Sequence, residues 1–314
     1  MFDFISVGNK ARKTKPVFII GAARSGTSVL WRVMQKHSAF RIKERNLVET
    51  SIFAFVNQCD TFTENTPDSL FRFMLSDKEA YGAFLRLIAP IRTWHAWIRN
   101  SATAKLLRKF KFFRDKFDYG FRTNFNDFFV LCYFHIAQKT RGAKRLLEKS
   151  PNNIHYLNEL LFCYPDCKML YIYRHPIEVY ASYKKRLETE GEADWCNFDA
   201  ESFVKKYAED MTLLGKALQT LGEQLLVFRY EDFTANPSES FRKICAFVGE
   251  EFEEEAVREE KPDLSYHIDP HLFGNITSKT KDWQKYVSAE EAKYIENALE
   301  EILENYGYSR FTSR

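Results

Sequence analysis

The stretch Gly21-Ala-Ala-Arg-Ser-Gly-Thr-Ser28 lies between the apolar run Val17–Ile20 and a segment where Val29, Leu30, Val33 and Met34 recur at helical spacing. A short, wholly apolar run bounded by Pro16 and Gly21 predicts a strand buried on both faces. The period that follows predicts a helix reaching about His37. Strand, glycine loop and helix in that order make an anion cradle. Glycine allows the tight turn, and backbone N–H groups converge at the positive end of the helix.

The rest of the chain repeats the alternation. Ala39–Lys43 and Arg145–Glu148 are candidate short strands, Met169–Tyr173 a stronger one and Leu225–Phe228 another. Ile154–Phe162 and Pro237–Val248 carry helical patterns, and Ala289–Tyr306 reads as one charged amphipathic helix. Pro176 suits the first turn of the helix after Met169–Tyr173, where its missing N–H costs nothing. The expectation is an α/β fold, a central parallel sheet flanked by helices in three layers. Residues from about 60 to 142 interrupt the alternation with polar turns and long helical patterns. They are read as a mainly helical insertion in a single domain covering residues 1–314.

Bulk properties narrow the function classes. A net charge of +3 gives no global reason to expect nucleic acid. Six cysteines without a CxxC pair suggest neither a zinc site nor a disulfide framework, and are read as buried free thiols. His267 and His271, with Pro270 between them, are read as loop histidines, so no metal is expected. The stretch Met1–Pro16 is short and basic, without an apolar segment of signal-peptide length. Runs such as Phe128–Ile136 are too short to cross a bilayer, so a cytoplasmic location is expected.

Against the triphosphate-binding pattern G-x-x-x-x-G-K-[ST], Gly21, Gly26 and Ser28 match, but Thr27 occupies the lysine position. That lysine reaches the β and γ phosphates, so its absence argues against ATP or GTP as a phosphoryl donor. Arg24 stands at the crown of the loop instead. A second stretch supplies another anion site. Arg174 follows the predicted strand Met169–Tyr173, and Ser182 lies eight residues on, about two turns into the next helix. Open α/β sheets bind ligands at the carboxyl ends of their strands. A guanidinium beside a hydroxyl is suitable chemistry for a terminal phosphate.

Together these stretches resemble the sulfotransferases that use 3'-phosphoadenosine-5'-phosphosulfate (PAPS). The loop Arg24-Ser-Gly-Thr-Ser28 has the R-S-G-T-[ST] form of the family's bacterial and Golgi-type branches. The cytosolic branch carries Lys for Arg and a Trp after the loop, where this chain has Val29. The resemblance implies a P-loop-like fold, with Arg24, Ser25, Gly26, Thr27 and Ser28 on the 5'-phosphosulfate and Arg174 with Ser182 on the 3'-phosphate. His175 stands where the family often has Asp. Tyr230-Glu-Asp232 is similar to a family segment whose Tyr lies near the adenosine. Ser278-Lys279-Thr-Lys281-Asp-Trp283 is similar to the late basic loop that closes over the nucleotide, although lysines in a polar loop are equally read as solvated.

Sulfuryl transfer is an in-line displacement at sulfur. It needs a base for the acceptor's proton and cations for the leaving phosphate oxygen, and no metal. The resemblance places the base on a Glu just after the first helix, with Glu49 preferred and Glu44 the alternative. Lys149, in Glu148-Lys-Ser-Pro-Asn152, is similar to the family's Lys-x-Pro position. With Arg24 it would stabilise charge on the bridging oxygen as 3'-phosphoadenosine-5'-phosphate (PAP) leaves. The acceptor stays open among small molecules, glycans, lipids and peptides. Between Arg99 and Arg122, eight basic residues interleave with Phe, either as a rim for an anionic acceptor or as a helix's solvent face. Two other readings are a P-loop nucleotide-dependent kinase and a non-catalytic nucleotide-binding module.

Overall fold

A computed structural model describes residues 10–42, 134, 138, 142–190, 196–258, 276 and 282–312. Its strands are β1 (Val17–Ile20), β2 (Leu147–Lys149), β3 (Lys168–Tyr173) and β4 (Leu225–Arg229). They form a parallel sheet in the order β2-β1-β3-β4, flanked by helices as the sequence leads one to expect. β1 and β3 take the middle. Val17, Phe18, Ile19 and Ile20, like Met169, Leu170, Tyr171 and Ile172, are fully buried, so neither strand needs to alternate apolar and polar residues. β4 pairs with β3 in register from Met169↔Leu225 to Tyr173↔Arg229.

The helices are α1 (Thr27–Lys36), α2 (Leu157–Cys163), α3 (Pro176–Glu190), α4 (Ala200–Leu221), α5 (Tyr230–Ala235), α6 (Pro237–Val248), α7 (Ala289–Ala298) and α8 (Glu300–Asn305). Their ends follow local chemistry. The Asp199 side chain caps α4 by accepting from Ser202 N. Pro237 opens α6 and left-handed Gly249 closes it. Ser288 and Glu291 form a capping box on α7. Glu291 also accepts from Tyr180 Oη at 3.0 Å and Lys184 Nζ at 2.6 Å, which fastens α7 to α3.

By packing density the chain forms two compact units. The first comprises Met1–Val17, Ser38–Glu148 and Tyr156–Cys167. Within it, Arg145 donates from its backbone N to Ala39 O at 2.8 Å and from Nε to Lys15 O at 2.5 Å. The second comprises Phe18–His37, Lys149–His155 and Lys168–Arg314. It holds the glycine loop, Lys149, Arg174, Ser182 and Tyr230.

Several boundaries differ from expectation. Ala39–Ile42 is not a strand: Ser38–Phe40 form a turn, although Ala39 O accepts a bond from Arg145 N. Lys43 lies outside the described residues. β2 starts two residues later than Arg145 and runs through Glu148 and Lys149, which are buried despite their charge. Ile154–Phe162 opens inside a 3-10 turn, Pro151–Tyr156, before α2 begins. The terminal helix breaks at Leu299 (φ −110°, ψ 20°) into α7 and α8. Of the expected insertion, only residues 134, 138 and 142 are described. Cys163, Cys167, Cys196 and Cys245 are free and buried, whereas Cys59 and Cys132 lie outside the described residues. Among the described residues no helix is long and apolar enough to cross a membrane.

Candidate active site

Each strand hands over to a singled-out residue at its carboxyl end. β1 leads into Gly21, β2 ends in Lys149, β3 is followed by Arg174 and β4 by Tyr230. The chain runs from central β1 outward to β2 and then crosses to β3 on the other side. That reversal is a topological switch point, where open α/β sheets form their ligand crevice.

The loop after β1 is built by its glycines. Gly21 (φ 132°) sits where a Cβ would come within 3.2 Å of Ile172 O. Gly26 (φ 101°) precedes α1 in a left-handed conformation, and a Cβ there would run into the Tyr230 ring. Arg24 also has a positive φ, 67°, the only non-glycine to do so among the described residues. Such a conformation costs on the order of 1 kcal/mol and tends to be kept at functional sites. Ser25 Oγ is fully buried and has no hydrogen-bond partner among the described residues. Among the described residues α1 has no side-chain cap, and its first turn holds no acidic residue, so no described carboxylate caps its leading N–H groups. An uncapped helix start, an unpartnered hydroxyl and Arg24 suit an anion.

Lys149 is fully buried, and its Nζ donates to Ser28 Oγ at 3.3 Å. Burial, aided by the nearby charge of Arg24, pulls its pKa down to about 7. Two basic groups therefore lie close together here, and an anion between them would favour the charged form of Lys149. Thr27, at the first position of α1, is buried.

Arg174 is held on three sides. Its Nε donates to Glu178 Oε2 at 2.7 Å, its guanidinium carbon lies 4.5 Å from the centre of the Tyr230 ring, and its carbonyl accepts from Tyr207 Oη at 2.7 Å. Tyr230 thus stands between Arg174 and Gly26, next to both stretches. Ser182 closes the circuit by accepting from Arg24 Nε at 3.0 Å. His175 is a structural residue. Its backbone N donates to Glu231 Oε1 at 2.9 Å and its ring stacks on Phe311 at 3.8 Å. Nδ1 accepts from Ile177 N, so Nε2 carries the proton and donates to Ser309 O. Burial lowers the His175 pKa to about 4, which leaves the ring neutral at pH 7.

The structure thus brings Arg24, Ser25, Gly26, Thr27, Ser28, Lys149, Arg174, Ser182 and Tyr230 into one unit. Glu44, Glu49, Lys279 and Lys281 lie outside the described residues. Sequence reasoning assigns no role to Glu178, Tyr207 or Glu231. Glu178 carries a signal one helical turn after Arg174, and Glu231 stands inside the segment Tyr230-Glu-Asp232, whereas Tyr207 has none. Among the described residues no His, Cys, Asp or Glu group could hold a metal ion.

Known proteins match along most of this chain. The sequence profile of the Sulfotransferase family covers residues 16–254. Cytosolic sulfotransferase 16 of Arabidopsis thaliana is 25% identical in an alignment 175 residues long that covers 45% of this chain and about half, 52%, of that relative's length. The sulfotransferase domain of the Synechococcus PCC 7002 olefin synthase aligns over 94% of this chain and 96% of its own, with a TM-score of 0.52 and 18% identity. The sulfotransferase domain from the curacin biosynthetic pathway aligns over 92% and 98%, with a TM-score of 0.51 and 16% identity. A sulfotransferase from Mycobacterium avium aligns over 98% and 80%, with a TM-score of 0.51 and 14% identity. At such identities the structures speak for a shared fold.

Proposed function

Because the chain belongs to the sulfotransferase family, we propose that it moves a sulfuryl group from PAPS to a hydroxyl or amine acceptor and releases PAP. The observation that carries this reading is the hydrogen bond from Arg24 to Ser182, which joins a 5'-anion loop to a 3'-anion stretch across one crevice. A nucleotide with charge at both ends is the ligand such a pairing suits. In this reading the uncapped start of α1, Ser25 and Arg24 take the phosphosulfate, Arg174 and Ser182 take the 3'-phosphate, and Tyr230 lies against the nucleoside. Lys279 and Lys281 would close over it. Thr27, in place of a phosphate-binding lysine, weighs against a kinase.

The acceptor's oxygen or nitrogen attacks sulfur in line. The sulfur–oxygen bond to the phosphate breaks, and its electron pair stays on the phosphate oxygen. Lys149 and Arg24 would hold that oxygen, while Glu49, or Glu44 in its place, takes the acceptor's proton. Residues 1–314 act as one catalytic domain, with acceptor choice residing in the stretch 60–142. Small-molecule, glycan, lipid and peptide acceptors all remain admissible. Buried free thiols at Cys163, Cys167, Cys196 and Cys245 suit a reducing, cytoplasmic setting.

Thermal-shift titration tests the donor directly, since a ligand bound only by the folded state raises the melting temperature. PAP should raise it, whereas ATP with Mg²⁺ should leave it nearly unmoved. Stabilisation by ATP with Mg²⁺ and none by PAP would overturn the proposal.

A further inference from the structure

Glu178 stands in the first turn of α3, one helical turn after Arg174, where it is buried against that guanidinium. Its side chain is 2% exposed, and Oε1 is buried with no hydrogen-bond partner among the described residues. Burial raises its pKa above the usual carboxylate range, against the pull of Arg174. For stability alone, an apolar side chain of similar volume would serve as well or better than a buried ion pair.

What Glu178 does is restrict Arg174. It takes Nε at 2.7 Å, while the Tyr230 ring covers one face of the guanidinium and Tyr207 pins the carbonyl of the same residue. No hydrogen bond from Nη1 or Nη2 occurs among the described residues. What is left for a ligand is therefore the edge that carries two N–H groups side by side, the geometry that matches two oxygens of one phosphate. Ser182 lies one helical turn beyond Glu178 on the same side of α3, where its hydroxyl accepts from Arg24 Nε.

We propose that Glu178 is a positioning residue, holding Arg174 so that its Nη edge faces a nucleotide's 3'-phosphate and thereby setting the preference for a 3'-phosphorylated over a 3'-hydroxyl adenylate. This rests on the donor reading above. A merely structural role, such as an acid in the first turn of α3 favoured by the helix dipole, would weaken the binding of all nucleotides together.

Calorimetric titration of the full chain with PAP and with 5'-AMP separates these cases. In the wild type PAP binds more tightly than AMP; equal affinities would overturn the donor reading before any variant is compared. Glu178→Gln should weaken PAP about tenfold and leave AMP within about twofold, because a neutral amide anchors Nε less well than a carboxylate. Glu178→Asp keeps the charge but loses the reach, and should show the same selective loss. Retained AMP affinity also reports that each variant is folded. With PAPS, KM should rise by about the factor seen for PAP while kcat stays within about twofold. Wild-type PAP affinity in Glu178→Asp, or equal losses for PAP and AMP in both variants, would overturn the assignment.

Discussion

Arg24 Nε donates to Ser182 Oγ at 3.0 Å, so the loop after β1 and the helix after β3 meet in one hydrogen bond between residues 158 positions apart. Ser182 Oγ still has its own proton to give to a phosphate. Ser182→Ala removes both interactions, and PAP affinity should drop by about tenfold, the usual loss for a hydrogen bond to a charged group. Combined with Arg24→Gln, the two losses should fall short of additive by about 1 kcal/mol in a calorimetric double-mutant cycle. Strict additivity would show that the contact does not couple the two stretches in solution.

Lys149 makes a testable link between pH, stability and binding. An ordinary lysine titrates near 10.5, but this one titrates near 7. Between about pH 7 and 10.5 the unfolded chain therefore holds a proton that the native chain has shed, and native stability gains as pH rises through that window. Below pH 7 both states are protonated, and the penalty of burying the charge is constant. Lys149→Met removes that penalty. Denaturant unfolding at pH 6 should find the variant about 1–3 kcal/mol more stable, with the gap closing toward pH 10. Its turnover should fall by about 100-fold or more.

The same group governs binding from the other direction. A donor anion favours protonated Lys149, so wild-type PAP affinity should weaken from pH 7 to pH 9, by at most about tenfold per unit. In Lys149→Met the slope over this range should vanish. A flat wild-type profile would remove Lys149 from the anion site.

Two glycines give opposite expectations. Gly26→Ala places a methyl group against the Tyr230 ring at a φ of 101°, and should cost about 2 kcal/mol or more in unfolding free energy together with PAP binding. Gly215, inside α4, has no other described residue beyond its own turn of helix within 4 Å of where a Cβ would stand. Gly215→Ala should stabilise the protein by up to about 1 kcal/mol without changing turnover.

The base is separable by kinetics. Glu49→Gln should abolish turnover while leaving PAP affinity nearly intact, because the acceptor's proton plays no part in binding PAP. If Glu44→Gln has this effect and Glu49→Gln does not, Glu44 is the base.

Legibility in the sequence tracked burial. β1 and the core of β3 are apolar on both faces, and their patterns located them within a residue. α6 matched at both ends, since Pro237 and Gly249 are unambiguous start and stop signals. β2 was misplaced because Glu148 and Lys149 are buried charges, which a hydropathy pattern reads as surface. The break at Leu299 has no glycine or proline to announce it. The site divides in the same way. Arg24, Arg174 and Ser182 stand in recognisable spacings, but Tyr207 and Glu231 reach the Arg174 turn across 33 and 56 residues. Pairings that distant are created by the fold and leave no local trace.

That all four strands end at the crevice has an evolutionary corollary. A one-residue slip of β3 against β4 would carry Arg174 about 3.3 Å along the sheet and turn its side chain to the opposite face. Length changes between strands should therefore be common among descendants of this chain, whereas a single deletion inside Lys168–Tyr173 should leave a folded protein that has lost its nucleotide.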